Sequence, residues 1–303
     1  MMKYILSVFA VVLISGLRLG AQDEMPYNSV MGTNNYIEFI EGNMPLVISI
    51  PHDGDLRPDN IPDRNCEMCA GRRDVFTMEI GLRVREHIYE KTGYYPYLVI
   101  SHLHRRKLDP NRGIEIAAVG DPIAEKAWNE FHSFIDSAIF EVENKFGKGL
   151  YIDLHGHNHK VKRVELGYLV AGEELRFDDE FLNDEAFYEY SSLRHLINNN
   201  LNSLSYVELL RGKLSFGTML ENRGYKCVPS SQTPYPKADE PLFSGGYNTK
   251  RHSSVSGNNM DGIQIEIDLE LRSDPERRPV FSKTLSEVIV EYIQTHIFKD
   301  IVE

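Results

Sequence analysis

The chain has 303 residues, 42% of them hydrophobic and 26% charged, which is ordinary globular composition and excludes a disordered chain, a collagen and a coiled coil. Its formal net charge of −12 disfavours nucleic-acid binding and a polybasic membrane-surface role, because both require a basic face. The sequence shows no internal repeat and no Pro/Gly/Ser-rich linker. One domain is therefore the simplest organisation.

The N-terminus has the pattern of a secretory signal peptide. Lys3 precedes an apolar run over residues 4–17, and small residues stand before Gln22. The run is short for a membrane span of ~20 residues, although an uncleaved anchor is the alternative interpretation. We therefore expect a signal peptide over residues 1–21, a single domain over 22–303 and a secreted or periplasmic protein that has no membrane contact after cleavage.

From residue 46 onward, short apolar runs alternate with amphipathic segments. LVISI (46–50), YLVIS (97–101) and LYIDL (150–154) are typical of buried strands. Between them the sequence predicts one helix from Asp74 to Gly93 and another capped by Asp121-Pro122 and ending at Gly147.

The second half continues the alternation less regularly. The expected elements are a strand over 165–172, a helix over 184–201, a strictly alternating strand over 262–272 and a closing helix over 283–297. Together these elements predict an α/β fold with a mixed, mainly parallel sheet and helices on both faces.

The three cysteines, Cys66, Cys69 and Cys227, are too few for a four-cysteine zinc site. Cys66 and Cys69 lie in a long polar loop and not at the start of a helix, which disfavours a thioredoxin-like redox motif. One structural disulfide with one thiol left over is expected, and spacing leaves its pairing open.

Polar residues collect directly after three predicted strands, where α/β sheets place their sites. These segments begin at His52, His102 and His155, and the last of them also contains His157 and His159. Histidine and carboxylate together are the ligand set of zinc, and three protein ligands leave a fourth position for water. His52 and His155, each the first histidine after its strand, form the predicted pair. The acidic ligand is left open between Asp55 and Asp74, with Asp53 as a weaker third candidate.

Several motifs together resemble the N-formylglutamate amidohydrolase family. They are PHDG (51–54), LDPNR (108–112), DLHGH (153–157), SGGY (244–247) and IQIEI (263–267). This family is similar in fold to zinc carboxypeptidases, so the resemblance implies a zinc carboxypeptidase-like fold over roughly residues 45–295.

The resemblance also implies roles for individual residues. His52 and His155 match the metal-binding histidines of the family, and its acid near the start of the first helix favours Asp74, whereas the His-x-x-Glu pattern of the wider superfamily favours Asp55. The pair formed by Gln264 and Glu266 points to Glu266 as general base. Glu270 is the reserve candidate, because the alternation over 262–272 places it on the same polar face of the predicted strand as Glu266. The Asn111-Arg112 pair is similar to the carboxylate-binding pair of carboxypeptidases.

Two further assignments complete the predicted site. Arg105 or Arg106 can stabilise the oxyanion beside the metal. His157 and Gln264 are predicted to contact the substrate.

The predicted function is that of a secreted metal-dependent amidohydrolase with one divalent ion, most simply zinc. Its expected substrate is a small anionic N-acyl amino acid or short peptide, cleaved at an amide bond next to a free carboxylate. A secreted zinc carboxypeptidase or a γ-glutamyl depolymerase is the alternative within the same class. A non-catalytic binding protein on the same fold is the alternative from another class.

Overall fold

The computed structural model describes residues 26–300, so the predicted signal peptide over residues 1–21 lies outside the described residues. The strands are β1 (Ser29–Met31), β2 (Ile37–Ile40), β3 (Leu46–Ile50), β4 (Tyr97–Ser101), β5 (Gly149–His157), β6 (Val164–Gly167), β7 (Cys227–Val228) and β8 (Met260–Asp268). The helices are α1 (Thr77–Thr92), α2 (Ile114–Ala117), α3 (Pro122–Phe146), α4 (Asp179–Leu182), α5 (Glu185–Tyr188), α6 (Arg194–Asn199), α7 (Tyr206–Arg211), α8 (Phe216–Glu221), α9 (Tyr247–His252), α10 (Leu269–Ser273) and α11 (Arg277–His296).

The strands form one eight-stranded mixed sheet in the order β1-β2-β4-β3-β5-β8-β6-β7. The four central strands, β4, β3, β5 and β8, run parallel to one another. Antiparallel pairings attach β2 and β6 on either side of them. The predicted α/β class with a mixed sheet is therefore confirmed, and the carboxyl ends of β3, β4, β5 and β8 meet along one edge.

Helices cover both faces of the sheet, as the alternating pattern predicts. On one face, Ile80 and Val84 of α1 pack with α11 against Ile48 and Ile265. On the other face, the apolar stripe of α3 packs against Val47 and neighbouring strand residues. Because both faces are covered, the central strands are apolar on both sides, which explains their continuous apolar runs.

The two ends of helix α3 are set by its capping residues, Asp121 and Gly147. The carboxylate of Asp121 accepts hydrogen bonds from the backbone amides of Ile123 and Ala124 at 3.0 and 2.9 Å. The helix ends at Gly147, which has a left-handed φ of 77° that an L-residue rarely adopts. Both signals were readable from the sequence.

The strand expected over 165–172 ends early, at Gly167, and the helix expected over 283–297 begins early, at Arg277. Two other predicted elements differ more from the structure. The strand expected over 262–272 ends at Asp268, whose carboxylate accepts a hydrogen bond from the Leu271 amide and caps α10. The helix expected over 184–201 is divided into α5 and α6, because Ser192 bonds instead to the backbone of Tyr168 and Gly262. A local capping bond ends the strand, and long-range hydrogen bonds of Ser192 divide the helix, so that neither segment follows the apolar periodicity throughout.

The structure pairs Cys66 with Cys69 and leaves Cys227 as a buried free thiol. The disulfide closes a short turn within the loop that leads from β3 to α1. None of the helices between residues 26 and 300 combines the length and apolar character that a bilayer crossing requires.

Candidate metal centre and active-site cavity

Two histidines and an aspartate meet at the carboxyl edge of the sheet. His52 follows β3 after one residue, and His155 lies near the end of the adjacent β5. Asp74 comes from the loop before α1. All three side chains are almost completely buried. Atom Oδ2 of Asp74 lies 3.1 Å from Nδ1 of His52 and 3.2 Å from Nδ1 of His155, and the two Nδ1 atoms are 3.0 Å apart.

These three atoms form a nearly equilateral triangle that fits a small tetrahedral cation. Tetrahedral zinc bonded to nitrogen and oxygen at ~2.0–2.1 Å separates its ligand atoms by about 3.3 Å. The observed sides of 3.0 to 3.2 Å are close to that separation. The donor set is therefore the right size for zinc.

Two further aspartates fix which ring nitrogens face this triangle. Nε2 of His52 lies 2.7 Å from Oδ1 of Asp109, and Nε2 of His155 lies 2.7 Å from Oδ2 of Asp153. Burial opposes ionisation of both carboxyl groups, but the histidines and the other hydrogen bonds outweigh it and lower the pKa of each below its usual value. An ionised carboxylate only accepts, so each Nε2 donates and carries the proton.

With its Nε2 proton held by an aspartate, each histidine can offer the lone pair of its Nδ1 to a metal, beside the Asp74 carboxylate. Burial opposes the charge on Asp74 as well, yet the two histidines lower its pKa. In the metal-free protein burial opposes the charge on His155, but the Asp153 and Asp74 carboxylates outweigh burial and raise the pKa of His155, so a proton shared between His155 and Asp74 can occupy the position that a cation would take. The Asp–His pairs match the carboxylate–histidine arrangement that orients metal ligands. The residues present therefore fit a divalent metal.

The structure separates the two acidic candidates that the sequence left open. Asp55 is exposed and lies outside the group, whereas Asp74 is part of it. Asp74 also does not cap α1, which begins three residues later at Thr77. Instead, the carboxylate of Asp53 accepts a hydrogen bond from the Met78 amide at 2.9 Å in the first turn of α1. Asp53 thus caps the first turn of α1, and the side chain of Asp74 contacts the two histidines instead.

A cavity of about 260 Å³ opens beside this group. Among the predicted site residues, its lining includes the following eight: His52, Asp74, Arg105, Asn111, Arg112, His155, Gln264 and Glu266. His157 and the alternative candidates Asp53, Asp55, Arg106 and Glu270 do not line it. The other wall is the loop over residues 242–246. A larger and more apolar cavity of about 730 Å³ lies beside α1, but its lining contains no histidine. The smaller cavity is therefore the candidate active site, because it contains the histidines and the carboxylates of the candidate metal centre.

Glu266 is placed next to His155 by the register of the sheet. Strands β5 and β8 pair in parallel with His155 opposite Glu266 and Asp153 opposite Gln264. Oε1 of Glu266 accepts a hydrogen bond from Gln264 at 3.0 Å, while its buried Oε2 has no partner among the described residues. Burial raises the pKa of Glu266 to about 8 in the metal-free protein. A nearby metal cation would favour the charged form.

The reserve candidate Glu270 lies outside this arrangement. It belongs to α10 and is exposed, with Oε1 3.5 Å from Nζ of Lys162. The predicted alternation over 262–272 placed it on the same face as Glu266, and the end of β8 at Asp268 removes it from that face.

Arg105 is fixed against the metal-binding group, whereas Arg106 points away from it. Nε of Arg105 donates to Oδ2 of Asp109 at 3.0 Å, and its Nη1 lies 3.8 Å from Oδ1 of Asp74. Arg106 is largely exposed and lies 3.9 Å from Asp63. The structure thus brings only Arg105 to the cavity.

Asn111 and Arg112 both line the cavity, but their side chains are held differently. Oδ1 of Asn111 accepts a hydrogen bond from the Asn248 amide at 2.9 Å, and its Nδ2 lies 3.3 Å from Nε2 of His155. Arg112 makes a hydrogen bond to the Asn111 carbonyl and has no carboxylate of residues 26–300 within ion-pair distance. Arg112 forms no ion pair with the nearby Asp109 of the same motif, because the Asp109 carboxylate is engaged with His52 and Arg105.

His157 lies outside the cavity and is not available to a substrate there. Its Nε2 donates to the Arg163 carbonyl at 2.8 Å, and its Nδ1 accepts from the His159 amide at 3.1 Å. It forms a second histidine–carboxylate group with His159 and Glu165. Since both ring nitrogens of His157 are already bonded, this group holds the chain following β5 in place.

Several residues of the site were not assigned from the sequence. Asp109 and Asp153 were visible only as members of LDPNR and DLHGH. Arg64, buried in the loop after β3, lies 3.6 Å from Asp109 and also binds the Arg105 carbonyl. Asn248 donates to Asp153 at 3.2 Å. Nothing in the local sequence around Arg64 or Asn248 marks them, because their partners are distant along the chain.

Comparison with known proteins supports the fold. No family model matches the chain, and no curated protein matches it. Among solved structures, a gene product of Agrobacterium tumefaciens has a TM-score of 0.51 at 11% identity, covering 86% of this chain and 94% of its own. The chain shares this α/β fold. N-formylglutamate amidohydrolase from Ralstonia eutropha JMP134 is also similar, with a TM-score of 0.49 at 14% identity, covering 88% of this chain and 96% of its own.

Proposed function

We propose that the protein is a secreted zinc-dependent amidohydrolase that cleaves an amide bond next to a free carboxylate in a small N-acyl amino acid or short peptide. The observation that carries this proposal is the convergence of two histidine Nδ1 atoms and one carboxylate beside a buried glutamate whose Oε2 has no partner among the described residues. His52, Asp74 and His155 would hold the metal. When bound in such a three-ligand site, zinc lowers the pKa of water to ~7 and polarises a carbonyl oxygen.

Glu266 is the residue that moves the proton. Its free Oε2 accepts a proton from the attacking water and returns it to the leaving nitrogen, so that the amine departs neutral. Gln264 holds the other oxygen, Oε1, and thereby fixes the direction in which Oε2 faces. Arg105, held by Asp109, presents a fixed positive charge where the tetrahedral oxyanion develops.

Arg112 is the residue proposed to hold the free carboxylate of the substrate. Its guanidinium lines the cavity and has no carboxylate partner among residues 26–300. A guanidinium matches a carboxylate with two parallel hydrogen bonds, and the strongly acidic protein needs such a local cation to retain an anion. The N-terminal signal pattern and the Cys66–Cys69 disulfide support secretion.

The proposal is tested by a metal assay followed by a substrate screen. We expect the purified protein to contain about one zinc per chain and to hydrolyse N-formyl or other N-acyl amino acids, with chelation abolishing turnover and zinc restoring it. Faster turnover of long peptides would favour the carboxypeptidase or γ-glutamyl depolymerase alternative. Tight binding of N-acyl amino acids without any turnover would favour the non-catalytic binding protein.

The Arg112→Lys variant tests the carboxylate-binding role. It keeps the positive charge but loses the planar fork, so KM for an N-acyl amino acid is expected to rise by about tenfold or more. The matching C-terminal amide has no carboxylate to hold, and its KM should change little. Steady-state kinetics on the acid and the amide check this result, and equal effects on both substrates would remove Arg112 from the binding site.

A further inference from the structure

Besides the cavity beside α1, another cavity adjoins the metal-site cavity directly, and we call it the second cavity. Its volume is about 560 Å³, and it shares Asp74, Arg105, Gly156 and Phe243 with the smaller one. None of the residues predicted to bind the substrate carboxylate, Asn111 and Arg112, lines it. The two cavities therefore extend from the metal-binding group in different directions.

The lining of this second cavity is rich in positive charge. Four arginines contribute to it, namely Arg72, Arg73, Arg105 and Arg272, and its only acidic residue is the metal-ligand candidate Asp74. This local excess of positive charge is opposite in sign to the formal net charge of the whole chain, which is −12. Fixed charges of one sign in a concave site attract a ligand of the opposite sign.

Two of these arginines form ion pairs with carboxylates of residues 26–300, and two form none, although the charges of nearby Asp74 and Glu266 act on Arg272. Arg73 pairs with Asp53 at 3.1 Å, and Arg105 pairs with Asp109 at 3.0 Å. Arg72 is exposed and has no carboxylate of residues 26–300 within ion-pair distance. Arg272 has none either, and its guanidinium donates to the backbone carbonyls of Ile267, Val75 and His157.

The buried Arg272 is fixed rigidly against the shared wall of the two cavities. A Cβ at Gly156 would lie 2.2 Å from Nε of Arg272, so the glycine allows the guanidinium to approach the strand. Arg272 thus provides a permanent charge in the wall, and Arg72 provides an adaptable cation at the rim.

We propose that this second cavity is a subsite for an acidic residue on the acyl side of the scissile amide. The inference rests on the proposed function, because Arg112 then holds the carboxylate on the amine side of the metal-binding group. The acyl side extends through the shared residues into the second cavity. A negatively charged side chain in the second cavity would form an ion pair with Arg72 and would also be attracted by the positive charge of Arg272. The substrate class becomes an acidic peptidyl or acidic N-acyl amino acid that is larger than an N-formyl amino acid.

The test compares two dipeptide substrates of nearly equal shape, acetyl-glutamyl and acetyl-glutaminyl forms of the amino acid preferred in the N-acyl screen. We expect kcat/KM to be about tenfold higher for the glutamyl substrate, and the preference to fall as salt is raised. Arg72→Gln should lower kcat/KM for the glutamyl substrate more than for the glutaminyl substrate and so remove most of the preference. Arg194→Gln, which removes an exposed arginine from α6 near the opposite end of β8, should leave the preference unchanged.

Each outcome decides the proposal. Equal turnover of the two dipeptide substrates, or turnover of N-formyl amino acids alone, would overturn the subsite and leave the proposed function standing. Absence of turnover for every N-acyl amino acid would instead overturn the proposed function. In that case calorimetric titration of the zinc-loaded protein with N-acetylglutamate and N-acetylglutamine decides the subsite. Preferential binding of N-acetylglutamate that is lost in Arg72→Gln supports it, and equal binding overturns it.

Discussion

If the proposed metal centre is correct, the His155→Ala protein is expected to bind zinc far more weakly than the unmodified protein. The substitution removes one of three ligand atoms and leaves Asp153 without the imidazole that it orients. Since a change in a residue behind a ligand already costs metal affinity ~10–100-fold, removing the ligand itself should cost more than ~10²-fold. Elemental analysis after dialysis measures the loss, and circular dichroism checks that the sheet persists.

Two matched variants sharpen this prediction. Asp153→Asn keeps the ligand but removes the carboxylate behind it, so metal affinity should fall by only ~10–100-fold. Asp55→Asn changes the exposed acid that lies outside the group and should retain full metal content. Full retention of zinc by a folded His155→Ala protein would contradict the assignment of the metal centre.

The Glu266→Gln protein is expected to keep its zinc and its substrate affinity but to lose turnover. Glutamine preserves the shape and can still bond to Gln264, yet it cannot accept and return a proton. The expected loss in kcat is ~10²–10⁴-fold, the usual contribution of a general acid–base group. Metal content, KM and kcat measured on the same preparation separate this role from a structural one.

The control for this prediction is Glu270→Gln. Glu270 is exposed on α10 and lies near Lys162, so its substitution should leave kcat unchanged. An inactive Glu270→Gln protein together with a fully active Glu266→Gln protein would show that the base had been assigned to the wrong glutamate.

The sequence by itself determined the layers of the fold and the histidines of the site. The apolar runs 46–50, 97–101 and 150–154 predict buried strands, and these runs form β3, β4 and the first part of β5. This works because a strand covered on both faces must be apolar throughout. His52 and His155 were readable for a related reason, since polar residues directly after buried strands collect at one edge of a parallel sheet.

Only the tertiary structure decided which side chains meet at that edge. Asp55 is close to His52 in the chain and Asp74 is not, yet the path of the loop after β3 exposes Asp55 and turns Asp74 toward both histidines. Asp109 supports His52 from the loop after β4, a contact that spans 57 residues. Local patterns report which surface of an element is apolar, because burial repeats with the period of the helix or strand. They do not report the contacts of single polar side chains, because those contacts depend on the three-dimensional path of loops that have no period.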